Sequence, residues 1–254
     1  MTTVSCIMMT HGRNWCFADA VESFRRQDLP DGVKAELLIL NDDPEQVLSC
    51  RVPGVRIVNY DCPFTDLSEK TNRAVSQASG EWLLWWDDDD ISLPHRIRRS
   101  LDTVRRGGRE AARWDRAWCV DGDKISRPSN LFMGGAIIRR SFFLSVGGCK
   151  VGDWNDQTIH SRMLGGGGYL CVQDDRPDET HFIYRWTGTG SHISGIVLDE
   201  GRQMPTLALF HAWEKLVKAD KRYKLGAIEI RPEWSRDWPA VIAGAIAAGR
   251  GEVQ

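Results

Sequence analysis

The sequence lacks most of the features that would assign it to a class at first sight. Its formal net charge at pH 7 is only -2, which gives no global electrostatic case for binding nucleic acid or an anionic membrane. No internal repeat or low-complexity tract occurs. The longest late apolar run, residues 238–249, is too short to span a bilayer, and the chain begins without the basic region or cleavage site of a signal peptide. We therefore expect no transmembrane segment. The length of 254 residues is enough for one large α/β domain, with or without an appended subdomain.

The seven cysteines are scattered along the chain and include no C-x-x-C pair. This arrangement indicates neither a zinc site nor a disulfide framework. An odd, dispersed set of cysteines is typical of proteins in a reducing compartment, so we expect a cytoplasmic location. The one excess is tryptophan, with 11 residues, most of which we expect in the core or at its rim.

The most informative stretch is an apolar run that ends in four acids. Residues 82–86 (WLLWW) contain no polar side chain and are followed directly by Asp87, Asp88, Asp89 and Asp90. This pattern predicts a strand that is buried on both faces and delivers its carboxyl end into solvent. In open α/β sheets, ligands bind in the crevice beyond the carboxyl ends of the strands.

The four acids predict a metal and diphosphate site. Adjacent carboxylates repel one another, and a cation or hydrogen-bond donors relieve that repulsion best at neutral pH. In an extended segment Asp87 and Asp89 project to the same side, where they can meet one hard divalent ion. Mg²⁺ or Mn²⁺ held by one or two carboxylates completes its shell with water and substrate phosphates. The alternative for an Asp run is a solvated acidic turn, but the buried strand before it favours the site.

The first 95 residues alternate between strand and helix patterns, which predicts a mostly parallel, doubly wound sheet. We expect Ser68 to cap the second helix and Gly80 to end it. The predicted elements are strands at residues 4–9, 35–40, 55–60 and 82–86, and helices at residues 16–26 and 68–79.

A second predicted strand, residues 35–40, also leads into acids, at Asp42 and Asp43. Neighbouring strand ends converge on one crevice, so one acid pair can accept hydrogen bonds from a base or ribose while the other takes a metal. The two acid pairs together indicate a nucleotide site.

The pattern is less regular after residue 95. The helix at residues 96–106 is basic, and we expect its arginines to form a solvated face, with a phosphate clamp as the alternative. The loop at residues 187–194 is rich in glycine and hydroxyl side chains. This composition is compatible with a loop that closes over a diphosphate and equally with an ordinary surface loop. The other expected elements are strands at residues 132–138, 169–172 and 182–186, and helices at residues 141–146, from 153 onward, and at 206–219.

With these residues laid out, the chain resembles the family 2 glycosyltransferases with the GT-A fold, over about residues 4–194. Asp42 and Asp43 stand where the family has an acidic pair that contacts the nucleotide. Residues 72–82 (NRAVSQASGEW) are similar to the family's Asn-x-(Ala/Gly) and Ala-x-Gly-Glu-Tyr run, and residues 86–94 (WDDDDISLP) to its Leu-Asp-x-Asp-Asp-x-x-x-Pro. This combination is specific, whereas an Asp-x-Asp alone is not.

Downstream, residues 134–148 look like the family's acceptor-side segment. Residues 155–162 are similar to its Glu-Asp-x-x-Leu-x-x-Arg motif, whose Asp is the general base. Here Asn155 replaces the Glu, and Asp153 lies one helical turn before Asp156. The resemblance therefore implies Asp156 or Asp153 as the base, and we favour Asp156.

The resemblance implies a GT-A domain at residues 1–200, with a Rossmann-like, mostly parallel sheet flanked by helices. Within it, residues 1–95 would form the nucleotide-binding half and residues 96–200 an irregular acceptor-binding half. Residues 201–254 would form a helical C-terminal extension packed on the same domain.

The resemblance also implies inverting transfer of one sugar from a nucleoside diphosphate sugar, with a UDP-sugar as the first expectation, to an acceptor hydroxyl. The acceptor is open among a glycan, a lipid-linked glycan, a protein, a small molecule and a modified nucleic-acid base. A Mn²⁺ or Mg²⁺ ion on Asp87 and Asp89 would act as a Lewis acid, and His192, in a segment similar to the family's closing Tyr-Arg and Ser residues, would be a third ligand or touch the diphosphate. The candidate contacts of the nucleotide sugar are Thr10, Arg13, Asp42, Asp43, Asn72, Arg73, Asp87 and Asp88.

Two other classes are compatible with parts of the pattern. A metal-dependent nucleotidyltransferase also uses carboxylates at the ends of a Rossmann-like sheet, but residues 10–14 are a poor version of its phosphate loop. A non-catalytic nucleotide- or carbohydrate-binding module would keep the tryptophans and could lose the base. Intact Asp87, Asp89 and Asp156 argue against such a module.

Overall fold

The computed structural model describes residues 1–64, 66–129, 133–150, 162–163, 165–186 and 206–250, with residues 133 and 206–209 described by backbone alone. The strands are β1 Thr2–Thr10, β2 Val33–Asn41, β3 Gln46–Cys50, β4 Val55–Asn59, β5 Trp82–Trp85, β6 Ile91–Ser92, β7 Ala111–Trp114, β8 Trp118–Asp121, β9 Lys124–Ser126, β10 Ile137–Arg139, β11 Tyr169–Val172, β12 Phe182–Trp186 and β13 Gly226–Ile230. The helices are α1 Phe17–Arg25, α2 Leu67–Gln77, α3 Arg96–Gly107, α4 Arg140–Ser145, α5 Thr206–Ala219 and α6 Trp238–Ala247.

The central sheet of the described chain has the strand order β11-β7-β10-β5-β1-β2-β4. Only β10 runs antiparallel to its neighbours among these strands. The register places Thr10 of β1 beside Asn41 of β2, and Ile7 of β1 beside Trp85 of β5. The carboxyl ends of β1, β2 and β5 therefore meet at one edge. The predicted fold class, a mostly parallel sheet flanked by helices, is confirmed.

The sheet separates two apolar layers, and β5 contributes to both. Trp82 and Leu84 belong to the layer that also contains Leu101 of α3. Leu83 belongs to the opposite layer, with Val75 of α2. Alternate residues of the strand are thus buried on opposite faces, which explains its uninterrupted apolar sequence. Full burial of each such side chain contributes about 1.5–3 kcal/mol.

A smaller sheet with the order β6-β12-β8-β9 lies beyond the acidic run. Ile91 of β6, Ile183 of β12 and Trp238 of α6 are buried in one apolar cluster there. A third pairing joins β3 to β13 in parallel. The C-terminal extension, expected to be helical, therefore also supplies a strand. The sequence pattern did not predict β3 because its partner lies far along the chain.

Several local expectations need correction. Asp66, not Ser68, caps α2: its carboxylate accepts a hydrogen bond of 2.5 Å from the Ser68 main-chain N–H. The strand expected at 132–138 is, in its described part, a 3₁₀ turn at Met133–Gly135 followed by the short β10. Arg96 does not belong to a solvated face, because it is fully buried and donates to Ser92 Oγ and the Trp85 carbonyl, both at 2.6 Å.

Strands expected at 169–172 and 182–186 and the helix at 206–219 are confirmed. The expected helix from residue 153 and the loop at 187–194 lie outside the described residues. Across the described ranges, no helix combines the length and the apolar character needed to cross a bilayer.

Candidate active site

The acidic run follows β5 at the edge where the parallel strands end. Asp87 is half-buried. Asp88, Asp89 and Asp90 have exposed fractions of only 0%, 5% and 6%. The expectation that the run would be delivered into solvent is therefore wrong. The physical reason is that other elements bring hydrogen-bond donors over the carboxylates.

The first of these donors come from the end of β1 and the loop that follows it. Thr10 Oγ1 donates to Asp88 Oδ2 at 2.6 Å. Arg13 Nη1 donates to Asp89 Oδ2 at 2.6 Å, and its Nη2 pairs with Asp88. The Arg13 guanidinium also lies 5.5 Å from the ring centre of Trp213. The structure thus brings four of the predicted site residues together.

Burial and charge oppose one another in this cluster. Burial disfavours the charged form of Arg13, but Asp88 and Asp89 outweigh it and raise the Arg13 pKa. Burial raises the pKa of Asp90 well above its usual value, and the neighbouring Asp89 and Asp87 raise it further. The crowded carboxylates therefore repel one another even with an arginine present, as expected for a site suited to additional positive charge.

The donor set of the turn fits a hard divalent cation. Asp87 and Asp89 offer carboxylate oxygens, the ligands that Mg²⁺ and Mn²⁺ prefer, and such ions need only one or two protein carboxylates. Within the described residues no group of three or more His, Cys, Asp or Glu side chains is arranged to hold a metal.

Gly134 lies against the acidic turn. A Cβ atom at this position would lie 2.6 Å from Asp87 Oδ2 and 2.6 Å from Cζ of the Phe182 ring. We expect Gly134→Ala to displace Asp87 and to lower the activity of the site about tenfold or more, because small displacements of a site are costly. Steady-state kinetics would measure this, with Gly135→Ala as the matched control, since its Cβ would meet only the Phe182 Cβ at 3.9 Å. Equal loss in the two variants would contradict the prediction.

The second acid pair, at the end of β2, is buried and tightly bonded. Asp42 Oδ1 accepts from Lys70 Nζ at 2.6 Å and faces His11 Nδ1 at 3.0 Å. Asp43 Oδ2 accepts from the Tyr223 hydroxyl at 2.9 Å. Asp42 and Asp43 are 1% and 0% exposed. This acid pair is thus covered by Lys70, His11 and Tyr223.

The ion pair of Asp42 predicts a pH dependence of stability. Burial opposes the charge of Asp42, but Lys70 and His11 outweigh burial and lower its pKa from 3.8 to about 2. A lowered pKa of a carboxylate contributes stability above the unfolded pKa and loses it as the pH falls through the folded pKa. The contribution is about 2 kcal/mol, of which about half is lost between pH 5 and pH 3.

Urea unfolding of wild type and Asp42→Asn at pH 5 and pH 3 would measure this contribution. The gap in unfolding free energy between the two proteins should narrow by about 1 kcal/mol at the lower pH. A gap that stays constant or widens would contradict the assignment of the lowered pKa to Asp42.

Other predicted residues lie apart from this cluster or outside the described residues. Asn72 binds the main chain of Cys149, donating to its carbonyl at 2.7 Å and accepting from its N–H at 3.0 Å. Arg73 is exposed on α2. The candidate bases and the third candidate metal ligand, Asp153, Asp156 and His192, lie outside the described residues.

Sequence reasoning missed several residues that complete the cluster. Lys70 did carry a signal, because it stands at helical spacing from Ala74 on the buried face of α2, where a lysine needs a partner. Tyr223 and Trp213 carried none, because they reach the site from the C-terminal segment.

Comparison with known proteins agrees with this geometry. The family model described as glycosyl transferase family 2 matches residues 5–152, more than half of the chain. The succinoglycan biosynthesis protein ExoM of Rhizobium meliloti (strain 1021) is 24% identical over 100 residues, which are 37% of this chain and 32% of that protein. The match thus spans about a third of that relative's length.

Solved structures share the fold at low identity. TarS 1-349 of S. aureus, crystallised with UDP-GlcNAc, has a TM-score of 0.56 and 12% identity over 78% of this chain and 65% of its own. The mannosyltransferase PcManGT from Pyrobaculum calidifontis, in complex with GDP-Man and Mn²⁺, has a TM-score of 0.53 and 14% identity over 97% of this chain and 74% of its own. The resemblance drawn from the sequence motifs is confirmed: the chain belongs to glycosyl transferase family 2.

Proposed function

We propose that the chain transfers one sugar from a nucleoside diphosphate sugar to an acceptor hydroxyl, with inversion at the anomeric carbon. The observation that carries this proposal is the acidic turn at the end of β5, where Asp88 and Asp89 meet Thr10 and Arg13 from the end of β1. Carboxylates and a guanidinium at one strand edge are suited to a diphosphate and its counterion. The structures of TarS with UDP-GlcNAc and of PcManGT with GDP-Man support a nucleotide-sugar donor.

Asp87 and Asp89 would hold a Mg²⁺ or Mn²⁺ ion, which would neutralise charge on the departing diphosphate. PcManGT, crystallised with Mn²⁺, supports this choice of ion class. Arg13 presents planar N–H donors that match phosphate oxygens as well as carboxylates. Thr10 fixes the orientation of Asp88 through its hydrogen bond. Arg13 is held at the turn by two carboxylates, those of Asp88 and Asp89.

The reaction itself needs an acceptor oxygen that loses its proton as it attacks. We propose Asp156, with Asp153 as the alternative, as the carboxylate that takes this proton. The new bond from the acceptor oxygen to the anomeric carbon forms on the face opposite the diphosphate, while the bond to the diphosphate oxygen breaks. We propose a UDP-sugar as the donor, with GDP-sugars as the competing class.

Two further parts of the proposal concern location and organisation. All seven cysteines are free thiols, which supports a reducing compartment such as the cytoplasm. We also propose that residues 1–200 form the transferase domain and residues 201–254 an extension packed on it. The pairing of β13 with β3 and the burial of Trp238 of α6 support the packing of the extension on the domain.

Release of nucleoside diphosphate from a panel of UDP- and GDP-sugars tests this function. We expect one donor class to be hydrolysed slowly without acceptor, in a reaction that stops with a chelator and resumes with excess Mn²⁺. No release from any donor, in protein that is folded by circular dichroism, would contradict the proposed function.

A further inference from the structure

A chain of hydrogen bonds leads away from the acidic turn through Arg185 of β12. The main-chain N–H of Arg185 donates to Asp90 Oδ1 at 2.9 Å, and its Nε donates to the Asp89 carbonyl at 2.5 Å. Its Nη1 donates to Asp19 Oδ2 at 2.7 Å. One arginine therefore holds two consecutive residues of the turn and joins them to α1.

Asp19 is the centre of this network. It lies in the first turn of α1 and is 7% exposed. Its Oδ1 accepts from the Ser235 main-chain N–H at 2.8 Å and from Trp238 Nε1 at 3.1 Å. The Ser235 hydroxyl lies 2.9 Å from Oδ2. The carboxylate thus binds Arg185 on one side and the C-terminal segment on the other, with charge-assisted hydrogen bonds that are stronger than neutral ones.

Apolar packing reinforces the same connection. Trp238 is 2% exposed and packs in one cluster with Ile91 and Ile183. Ile91 follows Asp90 directly, and Ile183 lies two residues before Arg185 in β12. The C-terminal segment therefore contacts the acidic turn by two routes, a polar one through Asp19 and an apolar one through Ile91.

We propose that Asp19 is a positioning residue, which together with Ser235 and Trp238 fixes the geometry of the Asp87 to Asp90 turn through Arg185. A turn of adjacent carboxylates tends to spread by mutual repulsion, while a site for a cation or diphosphate needs its ligands held within about half an ångström. The C-terminal segment supplies that constraint from residues more than 140 positions after the turn in sequence. The effect on catalysis rests on the proposed function, but the mechanical link between the C-terminal segment and the acidic turn does not.

Hydrogen exchange of the peptide covering residues 86–93, in protein without ligand, tests the link. We expect exchange to accelerate about tenfold in Asp19→Asn and about threefold in Trp238→Phe, which removes the indole N–H together with part of the buried ring. Trp234→Phe is the matched control, since its indole N–H bonds to Ser23 Oγ at 3.1 Å and not to Asp19. It should leave exchange in this peptide unchanged. Unchanged exchange in Trp238→Phe would overturn the inference, and this variant is informative even if Asp19→Asn does not fold.

A second readout tests the role in the reaction. In Asp19→Asn and Trp238→Phe, we expect the Mn²⁺ concentration for half-maximal donor hydrolysis to rise at least about threefold, with turnover largely restored at saturating metal. Faster exchange with an unchanged Mn²⁺ dependence would overturn the positioning role. If wild type hydrolyses no donor while the exchange effect is present, the proposed function fails and the mechanical link stands.

Discussion

Replacing Asp89 with asparagine is expected to lower kcat/KM for sugar transfer by about a thousandfold. The substitution removes a charged oxygen that would hold a divalent cation, and it also removes one of the two carboxylates that Arg13 bridges. Because Arg13 keeps its contact with Asp88, the protein should stay folded. The loss should therefore appear in turnover and in the dependence on Mn²⁺, measured by steady-state release of nucleoside diphosphate.

The matched control for this substitution is Asp28→Asn. Asp28 is also paired with an arginine, since Arg98 Nε lies 2.9 Å from its Oδ2, but its side chain is 59% exposed and far along the chain from the turn. It should behave as wild type. If Asp89→Asn retained activity within about threefold of wild type, Asp89 would have no part in holding a catalytic cation.

Replacing Lys70 with methionine is expected to lower the free energy of unfolding by about 3–5 kcal/mol, which is the usual cost of leaving a buried charge without its partner. Lys70 is 5% exposed, and its Nζ donates to Asp42 Oδ1 and to the Thr10 carbonyl, each at 2.6 Å. Methionine fills the volume but leaves both acceptors without this donor. Urea unfolding at pH 7 would measure the change.

The double variant Lys70→Met with Asp42→Asn supplies the control for that prediction. Removing both charges should restore much of the lost stability, because the cost comes from the buried carboxylate left without its lysine. A double variant whose loss equals the sum of the two single losses would show that the pair is not coupled. That result would contradict a stabilising role for the ion pair.

The central strand and its acids could be predicted from the sequence because the signal is local. Residues 82–86 are apolar on both faces, and the break at Asp87 marks the end of the strand whatever the rest of the chain does. Apart from β3, the order of strands and helices before it follows from similar local patterns. Thr10 and Arg13 were among the candidate contacts of the nucleotide sugar, and the structure brings both to the acidic turn.

The environment of those acids could not be predicted because it depends on contacts between distant residues. Tyr223 reaches Asp43 from 180 residues away, and Trp238 reaches Asp19 from 219 residues away. No spacing in the sequence indicates such pairs. The expectation of solvated carboxylates failed for the same reason, since a local pattern does not show which donors will be folded over it.

The measurement that tests the central claim most directly is thermal stability with a panel of nucleoside diphosphates and diphosphate sugars, each with and without Mn²⁺, on wild type and Asp89→Ala. A ligand that binds only the folded protein raises the unfolding midpoint by mass action, so no knowledge of the acceptor is needed. We predict a metal-dependent rise with one nucleotide class in wild type and no rise in Asp89→Ala. A flat response across the panel, identical in the two proteins, would contradict the assignment of the acidic turn as a metal and nucleotide site.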